Sequence, residues 1–202
     1  MCYREGVKRH VKLLGYSWVF IEVVILKIKM ASEEDIKAVA RVYVDSWKTT
    51  YRGLVPDDYL DSLSYDDAEK KWDDFLKSQN EPFIYIAIND LGKIIGFASG
   101  KTIDEDHFHG ELYALYLLQE CRGLGVGRQL VSAIAKHFKK KDIDSMLVWV
   151  MEKNKSGVGF YERLGGKEYL RRKNEFGGMV IDDVAYGWQD VSVLVLEEEL
   201  II

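Results

Sequence analysis

The segment Arg122-Gly123-Leu124-Gly125-Val126-Gly127 constrains this chain more than any other. It lies between a strand-like apolar run, Leu112 to Leu118, and an amphipathic run, Val126 to Phe138. In the second run Val126, Leu130, Val131, Ile134 and Phe138 share one helical face. Glycines at alternate positions let a ligand come close to the main chain. The first-turn amides of a helix have no intrahelical partner, and the helix dipole favours negative charge there. The spacing therefore predicts a cradle for a phosphorylated ligand at residues 122–128.

Two common phosphate loops do not fit. A Walker loop needs Lys-Ser/Thr after its last glycine, and Gly127 is followed by Arg128 and Gln129. A G-x-G-x-x-G fingerprint would need glycine at Arg128 or at Leu130. The pattern that does fit is (Arg/Gln)-x-x-Gly-x-(Gly/Ala), met by Arg122, Gly125 and Gly127. Around it stand Glu111-Leu-Tyr-Ala-Leu-Tyr-Leu-Leu upstream and Met146-Leu-Val-Trp-Val-Met downstream. Asn154 is followed seven residues on by Tyr161, in the context Phe160-Tyr161-Glu162-Arg163-Leu164-Gly165. Nearer the N-terminus come Asp45-Ser46-Trp47, Thr50-Tyr51-Arg52-Gly53 and Asp58-Tyr59-Leu60. In these motifs, over roughly residues 24 to 190, the chain resembles the GCN5-related N-acetyltransferases (GNAT).

That resemblance implies an α/β fold with a central mixed, mostly antiparallel sheet. The sheet is splayed between its fourth and fifth strands, with helices on both faces. It implies acetyl-CoA as co-substrate and no metal. Tyr116, Leu117 and Leu118 would pair with the pantetheine through their main chain. Arg122, Gly123, Leu124, Gly125, Val126, Gly127 and Arg128 would take the pyrophosphate, and Asn154 would contact the cofactor. Tyr161 matches the tyrosine near the thioester sulfur, where a phenol can protonate the leaving thiolate. Glu111 stands where several members carry a catalytic glutamate. Gln119 and Cys121 depart from the family's frequent proline and aromatic, and neither change removes an amide donor.

Each of these residues also has a plainer role open to it. Tyr161 shares helical spacing with Phe160 and Leu164, Asn154 suits a helix N-cap, and Glu111 suits a strand end. Trp47, Tyr51 and Tyr113 could line an acceptor pocket, since aromatic faces attract cations, and Trp47 is as well placed for the core. Asp104, Glu105, Asp106, His107 and His109 match no firm metal-ligand spacing. The predicted activity is transfer of an acetyl group to a primary amine by direct attack in a ternary complex. The alternatives are a non-catalytic acyl-CoA-binding or regulatory module and a longer acyl donor.

The chain's 202 residues suffice for one domain with a substantial core. Hydrophobic residues at 48% and charged residues at 30% are ordinary for a soluble globular protein. A net charge of −5 speaks against a general nucleic-acid binder and suits a small-molecule or peptide amine as acceptor. The two cysteines, Cys2 and Cys121, suggest no disulfide framework, so a cytoplasmic location is the simple reading, with room for a homodimer. Lys8, Arg9 and Lys12 before the apolar run Leu13 to Ile28 mimic a secretory leader. Glu22 interrupts that run, no small-residue cleavage site follows, and the run leads into the first strand. Residues 1–22 are expected to be an extension, 23–191 the domain and 192–202 a tail, with no membrane association.

Strands are expected at Val23–Lys29, Phe83–Ile88 and Lys93–Lys101, the last two joined by a turn at Asn89–Gly92. Ser32 opens a first helix with Ile36, Val39, Ala40, Tyr43 and Trp47 on one face. Pro56 opens a short second helix, and Ala68, Trp72, Phe75 and Leu76 mark a third. Lys167–Arg172 and Met179–Trp188 close the fold as a hairpin around Gly177-Gly178.

Overall fold

A computed structural model of the chain describes residues 7–11, 19–23 and 26–197. In chain order its strands and α-helices begin with β1 (Val7–Val11), β2 (Val19–Val23), β3 (Lys27–Met30), α1 (Ile36–Thr50), α2 (Asp57–Ser62) and α3 (Tyr65–Leu76). Next come β4 (Phe83–Ile88), β5 (Ile94–Thr102), β6 (Gly110–Leu117) and α4 (Val126–Lys139). The last are β7 (Met146–Met151), α5 (Lys155–Arg163), β8 (Lys167–Phe176) and β9 (Met179–Trp188).

β1 and β2 form a two-stranded antiparallel sheet, and the other strands form a seven-stranded sheet in the order β3-β4-β5-β6-β7-β9-β8. Every neighbouring pair in the large sheet is antiparallel except β6 and β7. Counted from Lys27–Met30, these are the fourth and fifth strands. The expected first strand is divided between two ladders. Val23 pairs with Val7, Lys27–Met30 pairs with β4, and residues 24–25 lie outside the described set.

Helical periodicity translates into two covered faces. The predicted apolar stripes of α1 (Ile36, Val39, Ala40, Tyr43, Trp47) and α4 (Val126, Leu130, Val131, Ile134, Phe138) are all buried. Phe97 of β5 meets Trp72 of α3 at 4.8 Å, so α1 and α3 cover that side. Phe83 of β4 meets Phe138 of α4 at 5.3 Å on the other. The entry to α1 is fixed locally: the Asp35 carboxylate accepts from the Ser32 amide at 2.9 Å and from Lys29 Nζ at 2.7 Å. Beyond β9, Val191 and Leu194 are buried, and the Leu196 amide donates to Ser132 Oγ of α4 at 2.7 Å.

The feature that positions the site is the parting of β6 from β7. They pair at Gly110↔Met146 and Glu111↔Leu147, after which β7 stays on β9 and β6 stays on β5. β6 carries a bulge where the divergence starts: Ser99 faces Ala114 while Gly100 faces Leu112, leaving Tyr113 over. An extra residue in one strand bends it and increases its local twist.

Candidate active site

The wedge between the parted strands is a cavity of about 480 Å³. Its walls come from the C-terminal part of α1, the outer half of β6, the glycine loop, the middle of β7 and α5. Three arginines line it (Arg122, Arg128 and Arg163), and no carboxylate does among the described residues. An anion is therefore favoured there over a cation.

The glycine loop owes its shape to backbone conformation rather than to crowding. Gly123 and Gly125 have φ of 76° and 79°, in the left-handed region, and a Cβ on either would meet nothing within 4 Å. Gly125 is the N-cap of α4, and the first helical bond runs from the Gln129 amide to its carbonyl at 3.2 Å. The preceding first-turn amides, Val126 to Arg128, are left without helical partners beside the open space. At Gly127 a Cβ would make ordinary van der Waals contact, 3.4 Å from Leu117 Cδ1 and from Phe160 Cζ. Arg122, Gly123, Gly125, Gly127 and Arg128 line the cavity. Leu124 is exposed and Val126 buried in the core, so Val126 contributes its main chain alone.

The Arg122 guanidinium is turned inward. It donates to the Leu117 carbonyl at 3.3 Å and to Thr50 Oγ1 at 2.7 Å, which ties the end of β6 to the end of α1. Burial lowers its pKa from the ordinary value. Ser46 Oγ donates to the same carbonyl at 3.0 Å.

The exposed edge of β6 follows from strand alternation. The Leu118 amide donates to the Ile95 carbonyl at 3.0 Å. In an antiparallel pair the hydrogen-bonding residues alternate, so Tyr116 and Ala114 also turn their main-chain groups to β5. Leu115 and Leu117 turn theirs to the wedge. Leu118, expected to offer its main chain to a ligand, is engaged with β5 and lies off the cavity, whereas Leu115 lines it. A two-residue period counted back from Leu117 would have found Leu115 in the sequence.

Tyr161 of α5 is buried and lines the cavity. Burial, with Tyr51 nearby as a lesser influence, pushes its hydroxyl well above the ordinary phenol range; like any phenol it is a hydrogen-bond donor at neutral pH, and burial makes it a weaker acid than an exposed one. Asn154 caps α5, its side chain accepting from the Gly157 amide at 3.1 Å, and it also lines the cavity. Tyr51 lies within interaction range of Tyr116 and Asn154, and burial raises its pKa. Tyr113 lines the mouth, stacked on Phe75 at 4.9 Å.

Two expected site residues stand elsewhere. Trp47 is 5% exposed and does not line the cavity. Its indole N–H donates to the Tyr116 hydroxyl at 2.8 Å, and its ring packs on Tyr51 at 4.4 Å and Phe176 at 5.3 Å. A buried indole needs a partner for its N–H, and Tyr116 supplies it, so Trp47 is a core residue. The Glu111 carboxylate is held by Lys101 Nζ at 3.1 Å, outside the lining, where β6 still pairs with β7. Asp104, Glu105, Asp106 and His107 are exposed in the loop before β6. Cys121 is buried in the core. No helix among the described residues is long and apolar enough to cross a membrane. Sequence reasoning missed Ser46, Thr50, Trp149 and Phe160 in the lining, since each reads as part of an ordinary helix or strand.

The same fold recurs in known proteins. The profile of the acetyltransferase (GNAT) family matches residues 39–166. YuaI of Bacillus subtilis (strain 168), an uncharacterized N-acetyltransferase, is 38% identical over 169 residues, covering 83% of this chain and 95% of YuaI. The spermidine N(1)-acetyltransferase of Thermoplasma acidophilum is 30% identical over 145 residues, covering 70% of this chain and 88% of that protein. Among solved structures, the PaiA N-acetyltransferase from Thermoplasma acidophilum in complex with coenzyme A superposes with a TM-score of 0.64 at 27% identity. That match covers 81% of this chain and 99% of the other. With its strand order, its parted strands and its glycine loop, the chain belongs to the GNAT acetyltransferase family.

Proposed function

We propose that the protein transfers an acetyl group from acetyl-coenzyme A to a primary amine, by direct attack within one ternary complex. The observation that carries this is the meeting of three elements in one cavity. They are the wedge-facing main chain of Leu115 with the Leu117 amide (the Leu117 carbonyl being taken by Arg122 and Ser46), the open amides at the start of α4, and the phenol of Tyr161.

The glycine-loop amides suit the diphosphate of coenzyme A, with Arg128 adding charge at the rim. Arg122 acts indirectly, by fixing the end of β6 against Thr50. Leu115 and Leu117 take the pantetheine side, and the Leu115 amide is oriented to polarise a carbonyl in the wedge. Acetyl-coenzyme A supplies an activated thioester. The acceptor nitrogen, as the neutral amine, forms a bond to the acetyl carbon as the carbon–sulfur bond breaks; the Tyr161 hydroxyl gives a proton to the departing sulfur, and the proton that the nitrogen sheds in becoming an amide restores the phenol through water. Glu111, held on Lys101, is not carried forward as a direct base. An amine acceptor is in keeping with the Thermoplasma acidophilum relative named for spermidine.

A non-catalytic acyl-CoA-binding module would use the same loop and have no need of a protonated phenol beside the wedge. Release of the coenzyme A thiol, followed over a panel of primary amines, separates the two. Turnover with at least one amine is expected. Binding of acetyl-coenzyme A with no thiol release from any amine would refute the enzymatic reading.

A further inference from the structure

Asp183 on β9 is the one buried charged residue among the described residues. Cross-strand partners share a sheet face, and residues alternate faces along a strand. Asp183 pairs with Met151 and with Arg172, and Ala185 pairs with Trp149, so Asp183, Arg172 and Trp149 lie on one face. Phe176, on the same side of β8, touches Trp47 at 5.3 Å and Tyr59 at 5.8 Å, which makes this the face under α1 and α2. Val150 points the other way, toward Gly157 of α5.

Arg172 reaches past the small Ala185 so that its guanidinium carbon lies 4.0 Å from the Trp149 ring centroid, while Nε stands 3.3 Å from Asp183 Oδ2. Asn174 Nδ2 approaches the same oxygen, also at 3.3 Å. Charge-assisted bonds of this kind are usually about 2.7–2.9 Å, so both contacts are loose. No bond to Oδ1 occurs among the described residues, and that atom is not among the sealed, unpartnered ones. The carboxylate side chain is 7% exposed and the arginine side chain 46%, so the anion is fixed and the cation replaceable. A buried carboxylate requires a cationic or hydrogen-bonding partner. An aromatic face beside it adds to the attraction for a cation.

We propose that Asp183 and the face of Trp149 form the seat for a second positive charge on the acceptor, and that the Arg172 side chain fills this seat until the acceptor displaces it. The acceptor class is then a diammonium or polyammonium amine. The inference rests on the acetyl-transfer reading for its orientation. Trp149 and Tyr51 line the cavity, and the Tyr51 hydroxyl feels both the Asp183 charge and Tyr161. Asp183 and Arg172 do not themselves line the cavity, so the seat is set back from it behind Trp149, suiting a distal ammonium rather than the attacking nitrogen.

The test is calorimetric titration of the protein saturated with coenzyme A, using diaminoalkanes of three to five carbons and the matching monoamines. At least one diamine is expected to bind about tenfold tighter than its monoamine, the scale of one charged hydrogen bond. Asp183→Asn should erase that preference. Arg172→Gln, whose amide can still donate to the Asp183 carboxylate, should increase it, with thermal unfolding of the variant reporting that the fold is kept. Equal affinity of diamine and monoamine in the unaltered protein, or a preference that survives Asp183→Asn, overturns the seat. A diamine weakened by Arg172→Gln overturns the placeholder role and points to an anionic acceptor group instead. A diamine that binds with the expected preference but is never acetylated supports the seat and refutes the transfer reading, so the two failures are distinguishable.

Discussion

Gly125 offers the sharpest separation of folding from ligand binding. Its φ of 79° and ψ of −6° lie in the left-handed region, and a Cβ would touch nothing within 4 Å. Alanine there should cost conformational strain alone, about 1–2 kcal/mol. In a domain of this size that is a fall in Tm of about 2–8 °C. Asparagine tolerates this region better and should cost less. Glutamate carries the same strain and adds a negative charge beside the first-turn amides of α4, which favour it. A diphosphate about 5 Å from that carboxylate would meet a repulsion of about 1 kcal/mol per unit charge in water and about 3 kcal/mol at an effective dielectric near 20. Counting the nearer phosphate charge alone, the glutamate variant should therefore bind coenzyme A at least about five- to 150-fold more weakly than the alanine variant, at a similar Tm. Thermal unfolding and calorimetric titration with coenzyme A read the two effects separately. Equal coenzyme A affinity in the alanine and glutamate variants would refute the placement of the diphosphate.

Three further outcomes are expected. Tyr161→Phe removes the proton donor and keeps the buried ring, so turnover should fall by about 10²-fold or more while coenzyme A affinity changes little; equal turnover would reduce Tyr161 to packing. Asn154→Ser should keep the α5 cap and the Tm but weaken coenzyme A binding, whereas Asn154→Ala should also lose about 1 kcal/mol of stability, measurable by thermal unfolding. His137 is stacked on Phe83 at 3.7 Å, and burial, then Lys141 and Lys140, lowers its pKa below the ordinary 6.5. Below pH 6.5 the unfolded chain gains a proton that the folded chain resists, so this contribution is complete above pH 6.5 and declines as pH falls toward the folded pKa. A Tm profile whose slope just below pH 6.5 is the same in His137→Gln would refute that assignment.

What the sequence displays and what it conceals follow from how far apart the cooperating residues lie. The loop at Arg122–Gly127 is legible because its shape is set by consecutive residues, and glycine is needed where φ is positive. The stripes of α1 and α4 are legible because a helix repeats its buried positions within a few residues. The strands of the large sheet are legible as runs, yet their open edge is not. Which of Leu115, Tyr116, Leu117 and Leu118 faces the wedge depends on pairing with Ile95 and Phe97 and on the bulge at Tyr113, and both belong to the partner strand as much as to β6. The role of Trp47 is illegible in the sequence for a similar reason. Its indole needs an acceptor, and the acceptor is the Tyr116 hydroxyl, 69 residues away. Asp183 is the extreme case. In sequence it is one of two adjacent aspartates in a strand, Asp182 and Asp183, and the alternation of faces sends one to solvent and buries the other. Its meaning depends on Arg172 from β8 and Trp149 from β7, which meet across it only because the strand order is β7-β9-β8. On the proposed reading the diphosphate site is thus written in one stretch of chain, whereas the acceptor seat is assembled from three strands. It follows that substitutions on the α1–α2 face of β7, β8 and β9 can change the amine without touching the loop, and that the loop alone cannot name the acceptor.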